Sequence, residues 1–225
     1  MRITILTLFP EMFQGPFDSS IVKRAIDKNL LKIKFINIRD FGIGKHKMVD
    51  DSPYGGGQGM ILRVDVLEKA IKNAKEKNVK EKVFLLSPAG KTFNQKKALE
   101  LSKLDHLILI CGHYEGVDAR IDNFIDGKIS IGDFITTGGE IPAMLIIDSV
   151  SRLISGVLKK GVTGNESFPN LLEYSQYTKP NEYKNFNVPK ILLSGDHKKI
   201  EEYRKKESIK ITSKLRPDLL KKGKN

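Results

Sequence analysis

The 225-residue chain has no tryptophan, one cysteine and no long uninterrupted apolar run. With Cys111 alone no internal disulfide can form, which fits a reducing compartment. The four histidines, His46, His106, His113 and His197, lack metal-ligand spacing and no second cysteine joins them, so no metal ligand is assigned. The most apolar stretch, Ile141 to Leu158, is interrupted by Asp148 and Arg152; it reads as a core helix and excludes a membrane span there. MRITILTLFPEMF at the start has a short apolar run with no basic lead-in and reads as a first buried strand, not an export signal. A soluble, cytoplasmic protein is expected. G-x-G-x-x-G is also missing, which weakens a dinucleotide fold. Gly90-Lys91-Thr92 looks like the end of a phosphate loop, but Leu85 stands where its first glycine belongs, which argues against a triphosphate hydrolase.

What is abundant is positive charge. The net charge is +12, and from Lys184 to Asn225 there are 13 Lys and Arg against 5 Asp and Glu. Such a basic excess is the footprint of a polyanion-binding surface, although lysines also simply solvate helices.

Strand-like segments, rich in branched and aromatic residues, are expected at Ile3–Leu8, Ile33–Ile38, Val83–Ser87 and Leu107–Cys111. Between them, Val66, Leu67, Ala70, Ile71 and Ala74 form an apolar stripe at helical spacing, with lysines turned outward. This alternation predicts an α/β domain around a mostly parallel sheet. The longest helix is expected from about Pro142 to Val157. Three parts follow: a main domain at 1–158, a flexible linker at 159–172 and a small basic helical domain at 173–225.

Ligands of α/β folds bind at the carboxyl ends of strands, so four Gly-rich loops draw interest. RDFGIGKHKMVDDSPYGGGQG (Arg39 to Gly59) offers cations, Asp50 and Asp51 for a base edge, and glycines for close backbone approach. A long loop whose glycines only make turns is the plainer reading. LLSPAGKT begins at Leu85, CGHYEGVDARI at Cys111, and ISIGDFITTGGEIP at Ile129. His113 suits a hydrogen-bonding surface residue as well as a catalyst, and Cys111 reads as a small core hydrophobe.

Together, YGGGQGM, LSPAGK, CGHYEG, SIGDFITTGGEIPAM, DSVSRLISGVL and YTKP resemble the TrmD family of bacterial tRNA (guanine-N(1))-methyltransferases, in the same order and from Arg2 to about Leu220. The resemblance implies a SPOUT-type α/β fold with a deep trefoil knot within about Val83 to Met144. It implies a homodimer acting on tRNA, with no role for DNA or a membrane. S-adenosyl-L-methionine (SAM) is the implied methyl donor, held by Leu86, Ser87, Pro88, Gly112, Tyr114, Glu115, Ile131, Gly132, Gly138, Gly139 and Pro142. The target guanine pocket is implied at His46, Asp50, Gly55, Gly57 and Gly59.

For catalysis the resemblance gives Arg152 the O6 side of guanine, whereas from the residues alone Arg152 also suits an ordinary helix-surface ion pair. The family's linker reads Asp-Ser-Phe; here Glu166-Ser167-Phe168 replaces it, so Glu166 is the expected general base, one methylene longer. A dependence on Mg²⁺ is also implied, for which the sequence offers no dedicated cage. Two other readings are a related enzyme methylating another RNA and a non-enzymatic RNA-binding protein.

Overall fold

The computed structural model describes residues 1–159, 161–162, 166–168 and 171–221. It divides into two compact units, Met1–Lys159 and Lys160–Asn225. Of the expected linker, residues 160, 163–165, 169 and 170 lie outside the described residues, as do 222–225 of the basic end.

The first unit is built on strands β1 (Arg2–Thr7), β2 (Lys32–Asn37), β5 (Glu81–Thr92), β6 (His106–Cys111) and β7 (Gly127–Ser130), all parallel, in the order β2-β1-β6-β5-β7. Two short strands, β3 (Asp50–Asp51) and β4 (Ile61–Leu62), pair separately. Helices α1 (Ser20–Asp27), α2 (Val64–Ala74), α3 (Gln95–Leu101) and α4 (Glu140–Ser151) cover the sheet.

Strand β6, HLILIC, is buried at every position, because both neighbours are strands and both faces carry helices. The period-two alternation sorts its side chains. Leu107, Leu109 and Cys111 join Ile3, Ile5, Phe84 and Ile129 beneath α1, α3 and α4. Ile108 and Ile110 join Leu6, Val83, Leu85 and the α2 stripe Val66, Leu67, Ala70, Ile71 and Ala74 on the other face.

At the sheet's far edge, Ile129 of β7 is in register with both Leu86 and Lys91 of β5. The β5 chain therefore lies along β7 at Phe84–Leu86 and again at Lys91–Thr92, with residues 87–90 carrying it across. Gly90 sits so close there that a Cβ would meet the Ile129 backbone at 2.5 Å. Phe93 N–H extends the second pairing to Ser130 O at 2.7 Å. The glycine of the phosphate-loop look-alike thus serves a chain crossing.

Two sequence expectations need correction. Strand β7 was hidden in what reads as a Gly-rich loop, because GKIS is short and half polar. The helix expected to reach Val157 stops at Ser151 and gives way to turns that include Gly156 at φ +86°. The longest helix is α5 (His197–Leu215), in the second unit. That unit also holds a β8–β9 hairpin (Glu182–Tyr183 with Phe186–Asn187) and α6 (Pro217–Lys221). Among its described residues only Ser208 and Thr212 are buried. Thr212 Oγ1 donates to Ser208 O at 2.6 Å and accepts from Leu172 N–H at 2.9 Å. Phe168 lies under Arg216 and Tyr174 under Arg204, so described parts of the 166–174 segment are fastened to α5.

His106 opens β6 at the amino-end of the sheet and is 1% exposed. Its Nε2 bonds with Thr4 Oγ1 at 2.8 Å and its Nδ1 with Glu81 Oε2 at 2.6 Å. Burial lowers its pKa below the ordinary 6.5; the Glu81 hydrogen bond and charge oppose this, and Arg2 and Lys34 reinforce it. The unfolded chain therefore binds this proton more readily than the folded one. The stability that follows is present above the ordinary pKa and lost as pH falls below it. Denaturant titrations from about pH 7 down to about pH 5 should show stability falling, by at most about 1.4 kcal/mol per pH unit for this proton. His106→Gln should flatten that limb; an unchanged limb would assign the loss to another group.

Candidate active site

The carboxyl ends of β5, β6 and β7 and the amino-end of α4 enclose a cavity of about 380 Å³, within the usual range for small-molecule sites. Its wall is made by residues 85–88, 112–117, Ile121, 128–132 with 134–139, and Pro142. All eleven residues expected to hold a methyl donor line it: Leu86, Ser87, Pro88, Gly112, Tyr114, Glu115, Ile131, Gly132, Gly138, Gly139 and Pro142.

The wall is held by backbone contacts. Gly139 N–H donates to Gly112 O at 2.9 Å, tying the start of α4 to the end of β6. A Cβ on Gly139 would lie 2.5 Å from Cys111 Cα and 2.8 Å from Gly112 N, so no side chain fits between these segments. Ser130 Oγ donates to Gly132 O at 3.0 Å, and Thr136 Oγ1 donates to Gly138 O at 2.8 Å. These bonds fix the 130–139 segment without filling the cavity. In the β6 loop, Tyr114 adopts φ +58°, a conformation that costs a non-glycine residue about 1 kcal/mol and brings its ring to the rim. His113 packs its ring against Phe9 at 4.9 Å and Tyr114 at 5.1 Å.

Cys111, which precedes the wall residue Gly112, is fully buried and free. Burial, and then the charge of nearby Glu140, push its thiol well above the ordinary range, against a lesser pull from Thr7. Full burial and a raised pKa fit the small core hydrophobe expected from the sequence.

The Arg39–Gly59 loop meets this cavity at one end. Met60 O accepts from Glu115 N–H at 3.1 Å, and Gly59 packs directly against the Glu115 side chain. Leu62 and Val117 bridge next to it. His46, Asp50, Gly55 and Gly57 are not part of the cavity wall. Asp50 is half-buried in β3 opposite Leu62, and His46 is exposed in the turn between Ile43 and Met48. Asp51, expected to face a base, is engaged by Arg63 at 2.8 Å, and the same guanidinium grips Asp65 at 3.0 Å. Arg152 caps the carboxyl end of α4 in the first unit, and Glu166 belongs to the second. Among the described residues no group of His, Cys, Asp and Glu could hold a metal ion, and no helix is long and apolar enough to cross a membrane.

A sequence model of the family described as tRNA (Guanine-1)-methyltransferase TrmD matches residues 1–222. The chain belongs to this family. Three curated relatives are named tRNA (guanine-N(1)-)-methyltransferase. That of Dictyoglomus turgidum is 54% identical over 224 residues, 99% of this chain and 91% of its own. That of Clostridium botulinum is 54% identical over 226 residues, 100% of this chain and 93% of its own. That of Carboxydothermus hydrogenoformans is 53% identical over 224 residues, 98% of this chain and 88% of its own.

Sequence reasoning passed over three neighbours of this TrmD-family cavity: Lys128 and Phe134 line it, as does His113, which the sequence left between two roles, and Glu140 is buried next to the wall residue Gly138. The signal for Glu140 was present: it is the only acid between Asp133 and Asp148, at the head of an apolar helix. Because backbone, not a movable side chain, faces Gly139, Gly139→Ala should lower unfolding stability by about 1–3 kcal/mol. Calorimetric melting checks this; an unchanged melting profile would show that the two segments can separate freely.

Proposed function

We propose that the protein transfers a methyl group from SAM to N(1) of the guanine immediately 3′ of a tRNA anticodon, giving 1-methylguanosine and S-adenosylhomocysteine. The observation that carries this reading is the convergence of the eleven residues on one cavity wall in a chain of the TrmD family. A wall that mixes glycines with apolar side chains suits an adenosyl ligand, because Gly112, Gly132, Gly138 and Gly139 let it approach the backbone closely while Leu86 and Ile131 offer apolar contact. When bound, SAM supplies a methyl carbon made electrophilic by its sulfonium.

N(1) of guanine carries a proton at neutral pH and becomes nucleophilic when that proton leaves. A base near N(1) and a cation near O6, where negative charge develops, are the chemical minimum. Glu166 is assigned the proton and Arg152 the developing charge. Arginine suits the task because it stays charged and its planar fork can grip an oxygen edge. The N(1)–methyl bond forms as the sulfur–methyl bond breaks, and the N(1) proton passes to the Glu166 carboxylate.

His46, Asp50, Gly55, Gly57 and Gly59 are assigned to the guanine side, next to Glu115. The pairing of β5 along both sides of Ile129 supports a trefoil knot around this cavity. The reading includes a cytoplasmic homodimer with sites drawing residues from both copies. Residues 1–158 form its methyltransferase domain, 159–172 a linker that orders over tRNA, and 173–225 a basic tRNA-contacting domain. Mg²⁺ is assigned no ligand on the protein.

Labelled SAM should give transfer to a tRNA transcript with guanine after the anticodon and none to the same transcript with adenine there. Glu166→Ala and Arg152→Ala should each reduce transfer by about a hundredfold or more. Undiminished transfer by Glu166→Ala would move the base elsewhere, with Asp50 next to test; transfer only to another RNA would overturn the tRNA assignment.

A further inference from the structure

Glu140 is 1% exposed and, among the described residues, the only buried carboxylate. It occupies the first helical position of α4, where Gly139 is the N-cap. Taking a carboxylate out of water costs several kcal/mol unless the surroundings answer its charge. Two features here do so. Thr7 Oγ1 accepts from Phe9 N–H at 2.9 Å, which leaves its own proton for Glu140 Oε1 at 2.7 Å. The unpaired N–H groups of the first helical turn favour negative charge at that end.

The carboxylate also lies next to the cavity. A Cβ on Gly138, a wall residue, would collide with Glu140 Oε2 and also with His113 Nδ1 at 2.7 Å. His113 Nδ1 is itself buried and without a hydrogen-bond partner. Carboxylate and imidazole therefore converge on one glycine, and no side chain of Gly138 intervenes between Glu140 and the cavity. The other charged groups of the wall are more exposed or already engaged: Glu115 is on the surface, and Lys128 is paired with Asp122 at 2.8 Å.

We infer that Glu140 sets the charge preference of the cavity, its buried carboxylate favouring a cationic ligand over a neutral one of the same shape. The inference rests on the methyl-donor reading and deepens it. SAM carries a sulfonium cation, whereas S-adenosylhomocysteine, the product, is neutral. A buried anion next to the wall strengthens donor binding without strengthening product binding, so product competes less well with donor for the cavity. Water screens it little, since the carboxylate is covered on every side.

The test is calorimetric binding of three ligands to the full chain: SAM, S-adenosylhomocysteine, and an analogue with a protonated amine in place of the sulfonium. Glu140→Gln keeps the size and the acceptor for Thr7 while removing the charge. It should weaken both cationic ligands on the order of tenfold and leave the neutral product within about twofold. Glu140→Asp should retain most of the preference. Equal weakening of all three ligands would make Glu140 a structural brace, and no change in any would remove it from recognition; either overturns the inference. Should Glu140→Gln not fold, Thr7→Val, which takes away the carboxylate's donor, is judged by the same selectivity. A wild-type chain that binds none of the three would overturn the methyl-donor reading itself, and this inference with it.

Discussion

The bracketing of β7 by its own neighbour is the constraint on which the site depends. Because β5 lies along Ile129 at Leu86 and again at Lys91, residues 87–90 have to arch over the strand end. That arch supplies Ser87 and Pro88 to the cavity. The chain leaving β7 then returns to β6, where Gly139 docks on Gly112 and α4 begins. Remove the arch or the docking and the three strand ends lose their common enclosure. The cavity is thus a by-product of how the chain passes itself, its wall mixing glycines with larger side chains such as Tyr114, Ile131 and Phe134.

Much of this was legible in the residues and some was not. Strands β1, β2 and β6 are visible because β-branched and aromatic residues concentrate in them. The α2 stripe is visible because one face alone is apolar. The cavity loops stood out through glycines at strand ends. Strand β7 did not, because its partner segments come from one distant stretch that no local pattern reveals. The end of α4 was misjudged for a related reason: apolar residues continue through Leu153, Ile154 and Val157, but they pack on the core from turns and not from a helix. Asp51 looked available for a base until Arg63, twelve residues on, was seen to engage it. The role of Glu140 depends on Thr7, a partner 133 positions away.

The two units differ in how they are held. The first has two apolar layers around a buried sheet, with every residue of β6 inaccessible. The second relies on a long polar helix, the Thr212 hydroxyl bonded to the Ser208 carbonyl, and cation–π contacts at Phe168 and Tyr174. Each such contact contributes about 0.5–1 kcal/mol at an exposed site, so this unit opens locally at lower cost than the sheet. Low internal stability is compatible with a surface that adapts to a large charged partner.

The bracketing of β7 also bears on solubility. An open sheet has two edges, and each is a template for strand addition by another molecule. Here the β7 edge is satisfied by Lys91 and Thr92, too short a segment to recruit a strand and headed by a lysine. At the opposite edge, β2 reads KIKFIN, with Lys32 and Lys34 exposed. Docking a further strand there would bring its backbone alongside two cations. The crossing that shapes the cavity therefore also leaves this parallel sheet without an undefended edge, which favours a soluble protein over edge-to-edge aggregation.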